Sequence, residues 1–117
     1  MASSYPNLVA MRIIHEDNHL LVVDKPAGLL VQADKSGDQT LLDLAKQYLK
    51  NKYQKPGNVY LGLVHRLDRN VSGVVVLART SKAAGRLSRQ FRDKEVTKVY
   101  QAVITGSMPT AAGELKA

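Results

Sequence analysis

The stretch His65-Arg66-Leu67-Asp68-Arg69-Asn70-Val71-Ser72-Gly73 constrains this chain more than any other. It separates two apolar runs, Val59 to Val64 and Val74 to Ala78. Both runs are rich in β-branched residues and too short for ordinary helices, so both predict buried strands. The polar residues between them end in Ser-Gly, a turn signal. A carboxylate flanked by two arginines therefore falls where one strand stops and the next begins. Loops carried by a rigid sheet are where catalytic groups collect. Spacing alone favours a plainer reading, a solvated Asp68 paired with Arg66 or Arg69.

The 117 residues suffice for one domain with a modest core. The chain has no cysteine, which excludes a disulfide framework and any thiolate metal site. The N-terminus lacks the order of a signal peptide, and the apolar runs fall far short of the ~20 residues that span a bilayer. A soluble cytoplasmic protein is expected. Charge is uneven. Residues 1–60 hold seven Lys/Arg and six Asp/Glu, a net of +1, whereas residues 61–117 hold ten and four, a net of +6. The total of +7 thus belongs to the half containing Asp68. A one-sided basic surface suits a polyanion through phosphate contacts, although basic residues also serve solubility.

Residues 1–8 and 107–117 read as flexible ends of a single domain. Met11 to Ile14 and Leu20 to Val23 predict two strands joined by a polar turn, His15 to His19, and so a hairpin. The turn also spells H-E-x-x-H, a zinc protease signature, which works only on a helix. Asp17-Asn18 between two strand-like runs opposes that reading. Pro26 and Gly28 predict a turn after the second strand. Lys25 reads as a charge at a sheet edge, facing phosphate or simply solvent.

Thr40 to Asp43 fits a capping box. Leu41, Ala45 and Tyr48, with Leu42 and Leu49, make an apolar helical face. Lys50 to Asn58 reads as an exposed basic loop. A second helix is predicted from Ser81 to Arg92, with Ala84, Leu87 and Phe91 buried on one face and Lys82, Arg86 and Arg89 on the other. That basic face is solvated or meets phosphate. Thr97 to Ile104 alternates as a strand, which puts Lys98 and Tyr100 on one face.

His65-Arg66-Leu67-Asp68 followed by Ser72-Gly73 resembles the central motif of the large-subunit-type (RluA-like) RNA pseudouridine synthases. The run Glu16 to Val31, with Lys25-Pro26-Ala27-Gly28, resembles that family's opening motif, and Lys98-Val99-Tyr100 its Lys-x-Tyr strand. Val71 stands where the family usually has Thr, which keeps the β-branch and loses a hydroxyl. The resemblance runs from about Ile13 to Gly106. Catalytic domains of the family are about twice as long as this chain, so the resemblance implies its N-terminal half, without the active-site arginine of the second half.

The resemblance implies an α+β fold, with a mixed, mostly antiparallel sheet and packed helices. It implies isomerisation of specific uridines to pseudouridine in ribosomal or transfer RNA. Asp68 is then the catalytic nucleophile, with Arg66 filling the space of the flipped base or holding a phosphate, and Tyr100 stacking on the uracil. Lys25, Arg69, Lys82, Arg86, Arg89 and Lys98 are the expected RNA contacts. No metal and no organic cofactor is expected. The alternative is a basic RNA-binding module without turnover.

Overall fold

The hairpin predicted across His15 to His19 forms. The computed structural model describes residues 12–106, so the two expected flexible ends lie outside the described residues. Strand β1 (Ile13–Glu16) pairs antiparallel with β2 (Leu20–Lys25). Asp17 makes the turn: its carboxylate accepts the backbone N–H groups of His19 and Leu20, each at 2.7 Å. The His15 ring and these two amides hold the Asp17 carboxyl down at about 2. The H-E-x-x-H string thus lies on a strand and a turn, where its members do not share one helical face.

Strand β2 pairs along its whole length with β4 (Gly73–Ala78), from Leu20 opposite Ala78 to Lys25 opposite Gly73. A short strand β3 (Gly62–Leu63) flanks the other side of β4. The sheet order is β1-β2-β4-β3, antiparallel throughout. Among the described residues two helices complete an α+β fold, α1 (Leu41–Tyr53) and α2 (Ser81–Arg92). The run predicted as a strand from Val59 to Val64 is thus strand only at its centre.

Alternation places Leu21, Val23, Val75 and Leu77 on one face of the sheet, all fully buried. Leu41, Leu44, Ala45 and Leu49 of α1 cover that face, and Leu29, Val31, Leu61 and Leu67 close its margins. Fully burying one such leucine stabilises the fold by about 1.5–3 kcal/mol. The capping box is present: the Asp43 N–H donates to Thr40 Oγ1 at 3.1 Å, and the Thr40 N–H to Asp43 Oδ2 at 3.2 Å. Leu44 joins the predicted apolar face, while Leu42 and Tyr48 are only half-buried.

The basic loop predicted from Lys50 starts later, because α1 continues to Tyr53 and ends at Gln54 in a left-handed conformation, φ 49°. Glu16 explains the added turn. It accepts hydrogen bonds from Tyr48 Oη at 2.6 Å, from Lys52 Nζ at 2.8 Å and from Tyr53 Oη. Burial pushes the Glu16 carboxyl up, yet these three donors outweigh it and hold the group at about 2.

Helix α2 has the predicted bounds and is capped by the Thr80 hydroxyl, which accepts the Ala83 N–H at 3.1 Å. Its apolar side lies along β3 and β4. No residue of α2 is fully buried, contrary to the expected buried face. Ala84, Leu87 and Phe91 are half-buried, since a two-residue β3 offers little surface to cover them.

The strand predicted from Thr97 to Ile104 does not form. Val99 is 86% exposed and Val103 wholly exposed. A strand needs a partner for its backbone groups, and none of the described strands pairs with this segment.

Candidate active site

The loop from Val64 to Ser72 leaves the sheet at β3 and re-enters it at Gly73. Gly73 has φ +147°, a conformation that side chains resist, and a Cβ there would lie 3.4 Å from Leu67 Cδ1. Leu67 itself is buried in the core. The Asp68 carbonyl accepts the Val71 N–H at 3.0 Å and closes a turn. Val71, in place of the family's Thr, is half-buried against the core. Asp68 is therefore an exposed carboxylate between a buried Leu67 and a half-buried Arg69.

Arg69 is fixed through its backbone and its side chain. Its carbonyl accepts the Gly28 N–H at 2.7 Å and Lys25 Nζ at 3.1 Å. Its Nε donates to the Gly28 carbonyl at 3.1 Å, and its guanidinium pairs with Asp38 at 2.5 Å. The expected RNA contact at Arg69 thus falls on a guanidinium that is already paired within the fold. Its guanidinium ties the Asp68 loop to the turn after β2 and to the loop before α1.

Lys25 departs from its expected place at a sheet edge. It is fully buried, on an interior strand rather than a sheet edge. Its ammonium donates to the carbonyls of Leu29 at 2.6 Å, Pro26 at 3.0 Å and Arg69 at 3.1 Å. All three protons are thereby used, and none faces a phosphate. Burial pulls the Lys25 ammonium below its usual range, and the negative charge of Asp68 opposes that shift. A buried cation thus sits close to Asp68 and knits three segments beneath it. The sequence carried a signal for this. Leu21, Val23 and Lys25 fall on one face of β2 by alternation, so Lys25 continues a buried row.

His65 was not singled out, yet it positions the start of the motif. Its Nε2 accepts the Val76 N–H of β4 at 3.0 Å, just beyond the end of β3 pairing. Its ring stacks on Phe91 of α2, with centroids 4.8 Å apart and planes at 16°. Burial, aided by the charge of Lys98, pushes the imidazole below its ordinary range, consistent with a neutral acceptor.

The remaining expected residues are less gathered. Arg66 is exposed beside Asp68. Lys82, Arg86 and Arg89 are exposed along α2. Lys98 Nζ stands 5.5 Å from the Phe91 ring centroid, on the ring that stacks against His65. Tyr100, two residues on, is 63% exposed on the unpaired segment. Among the described residues no helix is long and apolar enough to cross a membrane, and no cluster of three His, Cys, Asp or Glu could hold a metal.

Comparison with known proteins identifies the family. A family model described as RNA pseudouridylate synthase matches residues 19–117. The ribosomal large subunit pseudouridine synthase D of Zymomonas mobilis is 36% identical over 99% of this chain and 37% of its own length. The protein of the same name in Pseudomonas aeruginosa is 36% identical over 93% of this chain and 33% of its own. The solved structure of human RNA pseudouridylate synthase domain containing 4 superposes with a TM-score of 0.60 at 32% identity, covering 71% of this chain and 30% of that one. The chain spans about a third of the length of these relatives. With most of its residues matched to the family and the HRLD loop set between two strands, this chain belongs to the RNA pseudouridylate synthase family.

Proposed function

We propose that the chain serves an enzyme that isomerises specific uridines of structured RNA to pseudouridine, with Asp68 as nucleophile. One observation carries the reading: Asp68 is presented to solvent on a loop whose backbone is fixed on both sides, by buried Leu67 and by the Lys25–Arg69 clamp. A reactive group held by a rigid frame is what positioning catalysis requires. Ribosomal RNA is the favoured substrate, since relatives are named for the large ribosomal subunit, and transfer RNA is the other candidate. A cytoplasmic location follows from that substrate.

The reaction conserves atoms and oxidation state. The C1′–N1 bond breaks, the uracil turns, C5 bonds to C1′, the C5 proton leaves to water and N1 takes up a proton. The Asp68 carboxylate acts by adding to C1′ or to C6 of the base. The target base first leaves its stack, at about a few kcal/mol. Arg66, exposed beside Asp68, fills the vacated space or holds the adjoining phosphate, and Tyr100 stacks on the uracil once its segment is docked. Lys82, Arg86, Arg89 and Lys98 supply phosphate contacts. No cofactor is required.

The exposure of Tyr100 and of the basic face of α2 supports a second reading, an RNA-binding module without turnover. The two readings separate in one experiment. RNA tritiated at uracil C5 is incubated with the chain, with its Asp68→Asn variant, and with the product of its reading frame taken to the stop codon. Release that vanishes in Asp68→Asn supports the enzyme. Salt-sensitive binding with no release by any of the three supports the module.

A further inference from the structure

The end of β4 away from Asp68 carries a second group of side chains that the isomerisation leaves unused. Arg79 follows the last residue of that strand. Its backbone N–H donates to the His19 carbonyl at 2.8 Å, and its guanidinium to the Asp17 carbonyl at 2.6 Å. The guanidinium carbon lies 4.9 Å from the Tyr53 ring centroid. Beside it opens a concavity of about 270 Å³, lined by Lys55, Pro56, Asn58, Val59, Tyr60 and Arg79. Tyr60 is 49% exposed there. Its pose depends on Gly62, because a Cβ at that position would fall 2.8 Å from Tyr60 Oη and 2.9 Å from Ala84 Cβ.

These groups share one chemistry. A phenol ring and a fixed, planar guanidinium offer surfaces on which a base can stack. Lys55 offers an ammonium to a phosphate, and the Asn58 amide offers a donor and an acceptor to a base edge. No carboxylate is among the lining residues to oppose an anion. The concavity is smaller than the ~300–1,000 Å³ of pockets that enclose whole small molecules. Its size and openness suit one unstacked nucleotide better than a duplex.

We infer that this concavity is a second nucleic-acid contact, which holds one unpaired nucleotide of the substrate RNA at a distance from the uridine at Asp68. The inference rests on the RNA reading proposed above. Strand β4 separates the two places by six residues, which span about 20 Å. A strand of RNA held at both ends would have the spacing between target and held nucleotide fixed by the length of β4.

The test is fluorescence anisotropy with a labelled, unstructured single-stranded RNA oligomer, read against salt. Tyr60→Ala should weaken binding about tenfold, the effect of losing one stacked base, while Tyr60→Phe retains the ring and the affinity. Lys55→Ala should reduce the slope of log affinity against log salt by about 0.7. Wild-type affinity in Tyr60→Ala and wild-type slope in Lys55→Ala would overturn the site and leave the RNA reading standing. No salt-dependent binding by the unsubstituted chain would overturn the RNA reading, and the inference with it.

Discussion

Lys25 and Arg69, 44 residues apart in sequence, meet through a hydrogen bond of 3.1 Å from a buried ammonium to a backbone carbonyl one residue past Asp68. That contact makes the opening Lys-Pro-x-Gly segment part of the frame of the HRLD loop. Lys25 also lies opposite Gly73 in the sheet, where the loop returns to β4.

Replacing Lys25 with Met keeps the stem and removes the ammonium. The carbonyls of Pro26 and Leu29 then lose this donor, while that of Arg69 keeps only the Gly28 N–H. Leaving a buried acceptor unpaired costs about 1–3 kcal/mol, so urea unfolding should show Lys25→Met less stable by about that amount. Amide exchange at Gly28 should accelerate as well, since its N–H bonds Arg69. Unchanged stability together with unchanged exchange would show that the clamp does not hold the loop.

His65 titration offers a second check. Its neutral ring accepts the Val76 N–H and stacks on Phe91, so the folded protein disfavours the imidazolium. With the folded value below the ordinary 6.5, the unfolded chain binds the proton first as pH falls. Stability from this group is complete above 6.5 and declines as pH drops through the window beneath it. An NMR titration should place the His65 midpoint below 6.5, and a midpoint at or above 6.5 would contradict the packing described.

Glu16 makes an acid-stability prediction of the same sign. Its carboxyl stands at about 2, against an ordinary 4.5. The stabilisation is present above 4.5 and is lost as pH falls through about 2. After allowance for solvent screening it amounts to about 1 kcal/mol. Glu16→Gln should therefore be less stable than the parent at pH 7, with the gap closing toward pH 2. A gap that persists unchanged at low pH would assign the effect to packing.

Much of this fold was legible because local signals and tertiary packing agree. Thr40 and Asp43 announce α1, Thr80 and the period of Ala84, Leu87 and Phe91 announce α2, and the β-branched runs announce β4. The failures are of one physical kind: each depends on what a residue meets across the fold. Lys25 was read by its charge, whereas its place on the row of Leu21 and Val23 decided its burial. Arg69 was read as a partner of Asp68 or of RNA, whereas Asp38 and Gly28 hold it. Helix α1 ran past its expected end because Glu16, from a distant strand, gathered Tyr48, Lys52 and Tyr53. The stretch around Tyr100 has the alternation of a strand, and alternation supplies a face but no partner.

Gly73→Ala probes the loop from its other end. A left-handed φ of +147° strains any side chain, although the new methyl would only touch Leu67. A loss of about 1–3 kcal/mol is expected from the backbone strain, read by urea unfolding. Retention of full stability would mean that the return into β4 tolerates another backbone path.

The central claim is that Asp68 performs the chemistry on a loop that Leu67, Lys25 and Arg69 hold in place. It is tested most directly by tritium release from uracil-C5-labelled RNA, comparing the parent with Asp68→Asn in the reading frame taken to its stop codon. The expected result is release by the parent and none by Asp68→Asn, with RNA affinity and thermal stability equal in the two. Release at the parent rate by Asp68→Asn would contradict it.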